Sequence, residues 1–207
     1  DRAALIASKG GKLLGVYSSG QVPYEIDRLN DPAINAKVPS LASMTGHAIK
    51  SLAAQSGGFI LQVEGARIDH AAHANDAAAL LFDQMAFDQA LAVALEFARK
   101  DGETLVIATS DHGNSSPGSI GSGDEYFDST AGLTSLSKAR ASYESFLPRL
   151  VLLKSVGDVQ GLIEDRTGAK LTAQEAQMVL DAIGGKHWLA GIEQYQILTS
   201  TLSLVLS

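Results

Sequence analysis

Between Phe59 and Thr109 an apolar run, a long Ala- and Leu-rich stretch and a second apolar run follow one another. No other feature constrains the fold as much. Phe59-Ile60-Leu61-Gln62-Val63-Glu64 has the length and composition of a buried strand. From Ala71 to Lys100, Leu80, Leu81, Phe87, Leu91, Leu95 and Phe97 predict one long amphipathic helix, broken at Asp101-Gly102. Thr104 to Thr109 predicts a second buried strand. Strand, long helix and strand in that order predict βαβ units and a largely parallel sheet, an α/β fold.

The flanking segments extend this reading. Lys12 to Tyr17 predicts a short buried strand, and Gln21 to Pro39, rich in Pro, Asn and Asp, predicts a loop. Ser40 is placed to cap a helix running through Met44 and Ile49 to about Ala54, with Gly57-Gly58 beyond it. Gly113 to Gly132 is dense in Gly and Ser and reads as a long excursion. Leu150 to Leu153 predicts a further short strand. Thr172-Ala173-Gln174-Glu175 has the form of a capping box opening a helix to Ile183, and a last helix is expected from about Trp188 to the end. The organisation expected is a core α/β segment over 1–112, an excursion and return over 113–170, and C-terminal helices of the same domain over 171–207.

Composition narrows the partners. A net charge of −7 without a basic stripe argues against nucleic acid. It leaves a small phosphate substrate open, because bound cations reverse the local sign. No cysteine is present, so any metal must be held by His, Asp or Glu. No apolar run approaches the ~20 residues of a membrane span, so no membrane partner is expected. A start at Asp1 without Met or leader reads as a mature form or a fragment.

The residues suited to chemistry fall at two points. One is Glu64-Gly-Ala-Arg-Ile-Asp69-His70-Ala-Ala-His73, the other Asp111-His112. Each lies just past a predicted buried strand, where open α/β sheets form their ligand crevice. Asp69 and His73 are four apart, so a helical turn sets both on one face, able to grip one ion. Glu64 sits at the strand end, within reach of a neighbouring ion. Asp111 and His112 are adjacent, and Gly113 permits the turn that aims both inward. Carboxylate with imidazole suits zinc, and an all-oxygen set suits magnesium. Taken singly, each motif is an ordinary solvated pair; together they point to a metal centre. The remaining candidates read as structural: His47 and His187 as packing or surface histidines, Trp188, Tyr195 and Leu198 as packing. Asp76, Asp83 and Asp88 read as the solvated face of the long helix, and Asp124 and Glu125 as part of a charged loop.

FILQVEGARIDHAAH over 59–73, the long helix after it, and TLVIATSDH over 104–112 resemble the alkaline phosphatases in spacing and order, as do Leu14 to Tyr17 and Val22-Pro23-Tyr24. The resemblance implies a three-layer sandwich with a mostly parallel central sheet flanked by helices, here an incomplete part of it. It implies metal-dependent hydrolysis of small phosphate monoesters, with two zinc ions and one magnesium ion in the full-length protein. Glu64 matches the magnesium ligand, Asp69 and His73 ligands of the first zinc, Asp111 and His112 ligands of the second, and His70 a position near the phosphate. The serine nucleophile of the family lies upstream of these ligands and is not matched, so no catalytic residue is assigned in this chain. The third ligand of the first zinc, a His in a His-Thr motif, is not matched either. Asp128-Ser129-Thr130-Ala131-Gly132 is similar to the nucleophile motif but follows the ligands, and reads as a loop. A homodimer and export to the periplasm or outside the cell are further implications. Two alternatives stay open: another metallohydrolase of the same superfamily (a phosphodiesterase, sulfatase or phosphomutase), or a non-catalytic metal-binding fragment.

Overall fold

Short helices begin wherever a small polar side chain is placed to receive the first free backbone N–H groups. In the computed structural model, which describes residues 1–8, 12–114, 117, 130–184 and 194–206, the helices are α1 (Arg2–Ala7), α2 (Glu25–Asn30), α3 (Pro32–Lys37), α4 (Leu41–Ala53), α5 (Arg67–His73), α6 (Ala77–Asp101), α7 (Thr130–Leu136), α8 (Tyr143–Leu150), α9 (Val156–Thr167), α10 (Ala173–Ile183) and α11 (Gln194–Val205). The chain divides into two compact units. Unit 1 comprises 1–68 with 82–113, and unit 2 comprises 69–81 with 114–207.

In unit 1, Asp1 caps α1, Asp31 caps α3 with Pro32 in its first turn, and Ser40 caps α4 by accepting from the Ser43 N–H. The Ser8 hydroxyl and His47 Nε2 lie 2.7 Å apart, which gives His47 a structural role. α4 lies beside α6 at Gly46, where an added Cβ would make an ordinary 3.5 Å contact with the Val93 side chain. The stretch from Gln21 to Pro39 departs from its expected loop. It holds α2 and α3, since the Asp31 carboxylate accepts from both Ala33 and Ile34 and lets a helix restart straight after α2.

Unit 2 carries a helical core. Phe146, Leu150, Val159, Leu162, Ile163, Val179, Ile197, Leu198 and Leu202 from α8 to α11 are buried together. Ser142 and Ser155 cap α8 and α9, and Thr172 with Glu175 forms the expected capping box on α10. Gly168, at φ 77, ends α9 in the left-handed conformation that suits glycine. The strand expected at Leu150 to Leu153 is instead the end of α8 and a turn, where the Val151 and Leu153 N–H groups bond back to Leu147 and Leu150.

The α/β sandwich with a central sheet is overturned: among the described residues there is no β-strand. Residues 12–17, 59–64 and 104–109 lie outside the helices, and no ladder joins them among the described residues. Their apolar side chains stand open, with Ile60 99%, Leu14 88% and Leu105 82% exposed. A strand is completed by a neighbour, and local sequence cannot supply one.

The single helix expected from Ala71 to Lys100 is two. Asn75, at φ 53, breaks the path between α5 and α6. Asp76 then caps α6 by accepting from the Ala79 N–H at 3.0 Å and, at 2.6 Å, accepts the Tyr143 N–H. Asp76 is 1% exposed, so it does not belong to a solvated face. Asp83 is half-buried, again against expectation, whereas Asp88 is exposed and accepts from the Gln84 amide. By length and composition alone α6 is long and apolar enough to cross a membrane, a span the sequence pattern does not anticipate. The carboxylate of Asp83, held by the Glu25 N–H at 3.1 Å, lies within that helix and gives it a packed, polar neighbourhood in unit 1.

Candidate metal-ligand segments

The residues singled out in the sequence divide between the two units. Glu64, Asp111 and His112 lie in unit 1; Asp69, His70 and His73 lie in unit 2.

In unit 2 the helical turn predicted for the Asp69 motif is formed, as α5. It sets His73 Nε2 3.4 Å from Asp69 Oδ1. The same oxygen accepts from the Asn114 side-chain amide at 2.9 Å. The pair is accessible, with 70% of the His73 side chain and 39% of the Asp69 side chain exposed. This is a carboxylate and an imidazole on one helical face, a donor chemistry that suits zinc. His70 opens the last turn of the same helix, and its carbonyl accepts the Ala74 N–H.

In unit 1, Glu64 lies at the end of the segment 59–64, outside the helices, and is exposed. Asp111 turns back on its neighbour: its Oδ1 accepts the His112 N–H at 2.9 Å, and its Oδ2 lies 3.6 Å from His112 Nε2. His112 Nδ1 lies 3.3 Å from the Gly113 carbonyl. Both side chains face solvent.

The structure thus forms two carboxylate–imidazole pairs, each within one segment. Among the described residues no group of three or more His, Asp or Glu side chains converges to hold an ion. Carboxylate and imidazole are donor types that suit zinc. Asp124, Glu125, Asp128, Ser129, His187 and Trp188 lie outside the described residues.

Behind Glu64, in unit 1, lies a cluster that periodicity does not reveal. Arg67 is 5% exposed, and its guanidinium carbon sits 3.6 Å above the centre of the Tyr24 ring. Glu25 and Arg28 form a buried, two-pronged ion pair with both contacts at 2.6 Å. That bond raises the Arg28 pKa further. Asp83 completes the group. Burial first, and then the nearby Glu25 and Asp27 charges, push its carboxyl up to about 7, against the pull of the Glu25 N–H and of Arg67. Gly65 fits closely here: a Cβ would stand 3.0 Å from both the Ile68 and Phe87 side chains, which would have to give way. The only sequence hint was a charged residue, Arg67, in an otherwise small and apolar turn.

Comparison with known proteins places these segments in a family. The family profile described as Alkaline phosphatase matches residues 1–180. "Alkaline phosphatase 3" of Bacillus subtilis (strain 168) is 42% identical over 112 residues, 54% of this chain and 23% of that protein. The crystal structure of Thermus thermophilus alkaline phosphatase superposes with a TM-score of 0.86 at 37% identity, over 99% of this chain and 43% of that one. The cold-active enzyme from the psychrophile Shewanella sp. gives a TM-score of 0.76 at 26% identity, over 99% of this chain and 46% of that one. The chain belongs to the alkaline phosphatase family. It spans about a quarter of the length of the curated relatives it matches.

Proposed function

We propose that this chain supplies metal-holding side chains to a hydrolase of small phosphate monoesters. The observation that carries the reading is the Asp69–His73 pair, formed on one face of α5 in a chain of this family. In this reading Asp69 and His73 hold one zinc ion, Asp111 and His112 a second, and Glu64 a magnesium ion. Bound there, such ions supply Lewis acidity toward the phosphate oxygens.

The chain's own residues do the holding and orienting. The Asn114 amide donates to Asp69 Oδ1, which orients that carboxylate. The bond from Asp111 Oδ1 to the His112 N–H fixes the Asp111 rotamer in the same way. His70 follows Asp69 directly and is assigned to the neighbourhood of the phosphate. No residue of the 207 is assigned as the nucleophile; a serine outside them has that role. Small phosphate esters are the substrates and nucleic acid is not a partner, consistent with a net charge of −7. The reading further assigns no membrane partner, a homodimeric whole protein, and a place in the periplasm or outside the cell.

The test is zinc stoichiometry by mass spectrometry together with hydrolysis of p-nitrophenyl phosphate, on the 207-residue chain and on the whole protein. Zinc bound by the chain and lost in Asp69→Asn and His112→Ala, with turnover by the whole protein, supports the reading. A whole protein that hydrolyses the ester equally well after exhaustive chelation overturns it.

A further inference from the structure

Five charged side chains gather in unit 1 around the turn that follows Glu64. Glu25, Asp27, Arg28 and Arg67 are each at most 9% exposed, and half-buried Asp83 faces them from α6. With every group ionised, three carboxylates stand against two guanidinium groups, so the cluster carries one surplus negative charge. With one carboxyl protonated it is neutral. A buried surplus charge is costly, and the cheapest relief is either a proton or an opening to water.

Asp83 is the group that takes the proton. Glu25 is matched by Arg28 through two short bonds. Asp83 accepts a backbone N–H from Glu25 and faces the Glu25 and Asp27 charges from α2, with Arg67 of α5 as its attractive neighbour. On its own helix the nearest acid along the chain, Asp88, is exposed and bonded to Gln84. Burial and repulsion outweigh attraction, and the carboxyl titrates near neutrality, at about 7.

We propose that Asp83 is a pH-sensitive latch and positioning residue for the ligand-bearing turn: protonated, it lets α2, α6 and the Gly65–Arg67 turn close on one another, and ionised, it loosens them. The route to the turn is short. Arg67 lies three residues after Glu64 and two before Asp69, and its guanidinium is held on the Tyr24 ring one residue before Glu25. Gly65 lies against Phe87, one helical turn from Asp83 on α6. Loosening the cluster therefore loosens the backbone between Glu64 and Asp69. The link to metal holding rests on the proposed function; the latch itself does not.

The sign follows from linkage. A carboxyl whose closed-state pKa is raised favours the closed state at low pH and the open, solvated state once it ionises. Amide hydrogen exchange on the metal-free chain, corrected for intrinsic rates, reads this directly. In the wild type, protection at Glu25, Arg67 and Ile68 is expected to be full below about pH 4 and to fall by about tenfold for each pH unit as the pH rises from there toward 7. Above about pH 7, where the carboxyl is ionised in both states, protection is expected to be level. The 13C shift of the Asp83 carboxyl, which reports the closed state, is expected to move with a midpoint at about 7. Asp83→Asn, neutral at every pH, is expected to hold protection flat, and Asp83→Glu to restore the step. An Asp83 carboxyl that titrates near 4, or that titrates near 7 while protection stays flat, overturns the latch. Both readouts exist in the wild type, so a variant that fails to fold leaves the test intact. Zinc added to the same samples separates the two claims: absence of binding at every pH sinks the metal reading, while the exchange step still decides the latch.

Discussion

Asp76 joins segments 67 residues apart, with one oxygen on the Ala79 N–H and the other on the Tyr143 N–H. It is 1% exposed, so removing its carboxylate strands two donors away from water. Asp76→Ala is expected to cost about 2–4 kcal/mol, the sum of a lost cap and a buried unpaired donor. Urea unfolding measures it, and a loss below about 1 kcal/mol means that water replaces both bonds. The same carboxylate, with burial as the larger cause, raises the Tyr143 phenol pKa above its ordinary value. Asp83 behaves in the opposite sense to an ion-paired acid. Its pKa is about 7 in the folded chain against 3.8 ordinarily, so the stability it contributes is full below about pH 4 and lost as pH rises to about 7. Asp83→Asn is therefore expected to be more stable than the wild type at pH 8, by about 1–2 kcal/mol after allowance for solvent screening, with the gap closing at pH 4. Urea curves at the two pH values check the sign.

At the scale of elements, the unit 2 helices rest on packing more than on propensity. Leu150 is fully buried among α8, α9, α10 and α11 residues, and Leu150→Ala is expected to cost about 3 kcal/mol in urea unfolding. Gly168→Ala at φ 77 is expected to cost about 1 kcal/mol, since a Cβ is disfavoured in that conformation. The parts of the fold legible in the sequence are those written in a few adjacent residues. The Ser40 cap, the Thr172 capping box and the end of α10 at Ile183 are each decided within four or five positions. The Asp69–His73 face is legible for the same reason, because helical spacing alone sets it. The break at Asn75 was hidden because Asn tolerates a positive φ without announcing it, and Asp76 acts on Tyr143, far along the chain. The strands were over-read. Apolar runs at 59–64 and 104–109 have strand composition, but a ladder depends on partners that no window of sequence contains. Asp83, read from spacing as part of a solvated face, is half-buried for the same reason: its cluster with Arg67 is assembled from α2, α5 and α6.

At the scale of the molecule, the extended segments of unit 1 dominate behaviour in solution. Leu14, Val16, Ile60, Leu105 and Ile107 are between 72% and 99% exposed, on backbone that joins no ladder among the described residues. Large open apolar side chains beside unpaired N–H and C=O groups favour contact with another chain, because association removes both the apolar surface and the unmet hydrogen bonds from water. A net charge of −7 opposes this by repulsion, and salt screens that repulsion. The isolated 207-residue chain is therefore expected to self-associate with rising concentration, and more so at 0.5 M than at 0.05 M salt. Replacing Ile60, Leu105 and Ile107 by Thr removes most of the apolar surface while keeping an extended-chain preference. That variant is expected to sediment as a monomer at concentrations where the wild type does not. It leaves the buried core of unit 2 untouched, so the far-ultraviolet helix signal is expected to be unchanged. Equal association of the two proteins in sedimentation velocity would show that another surface drives it.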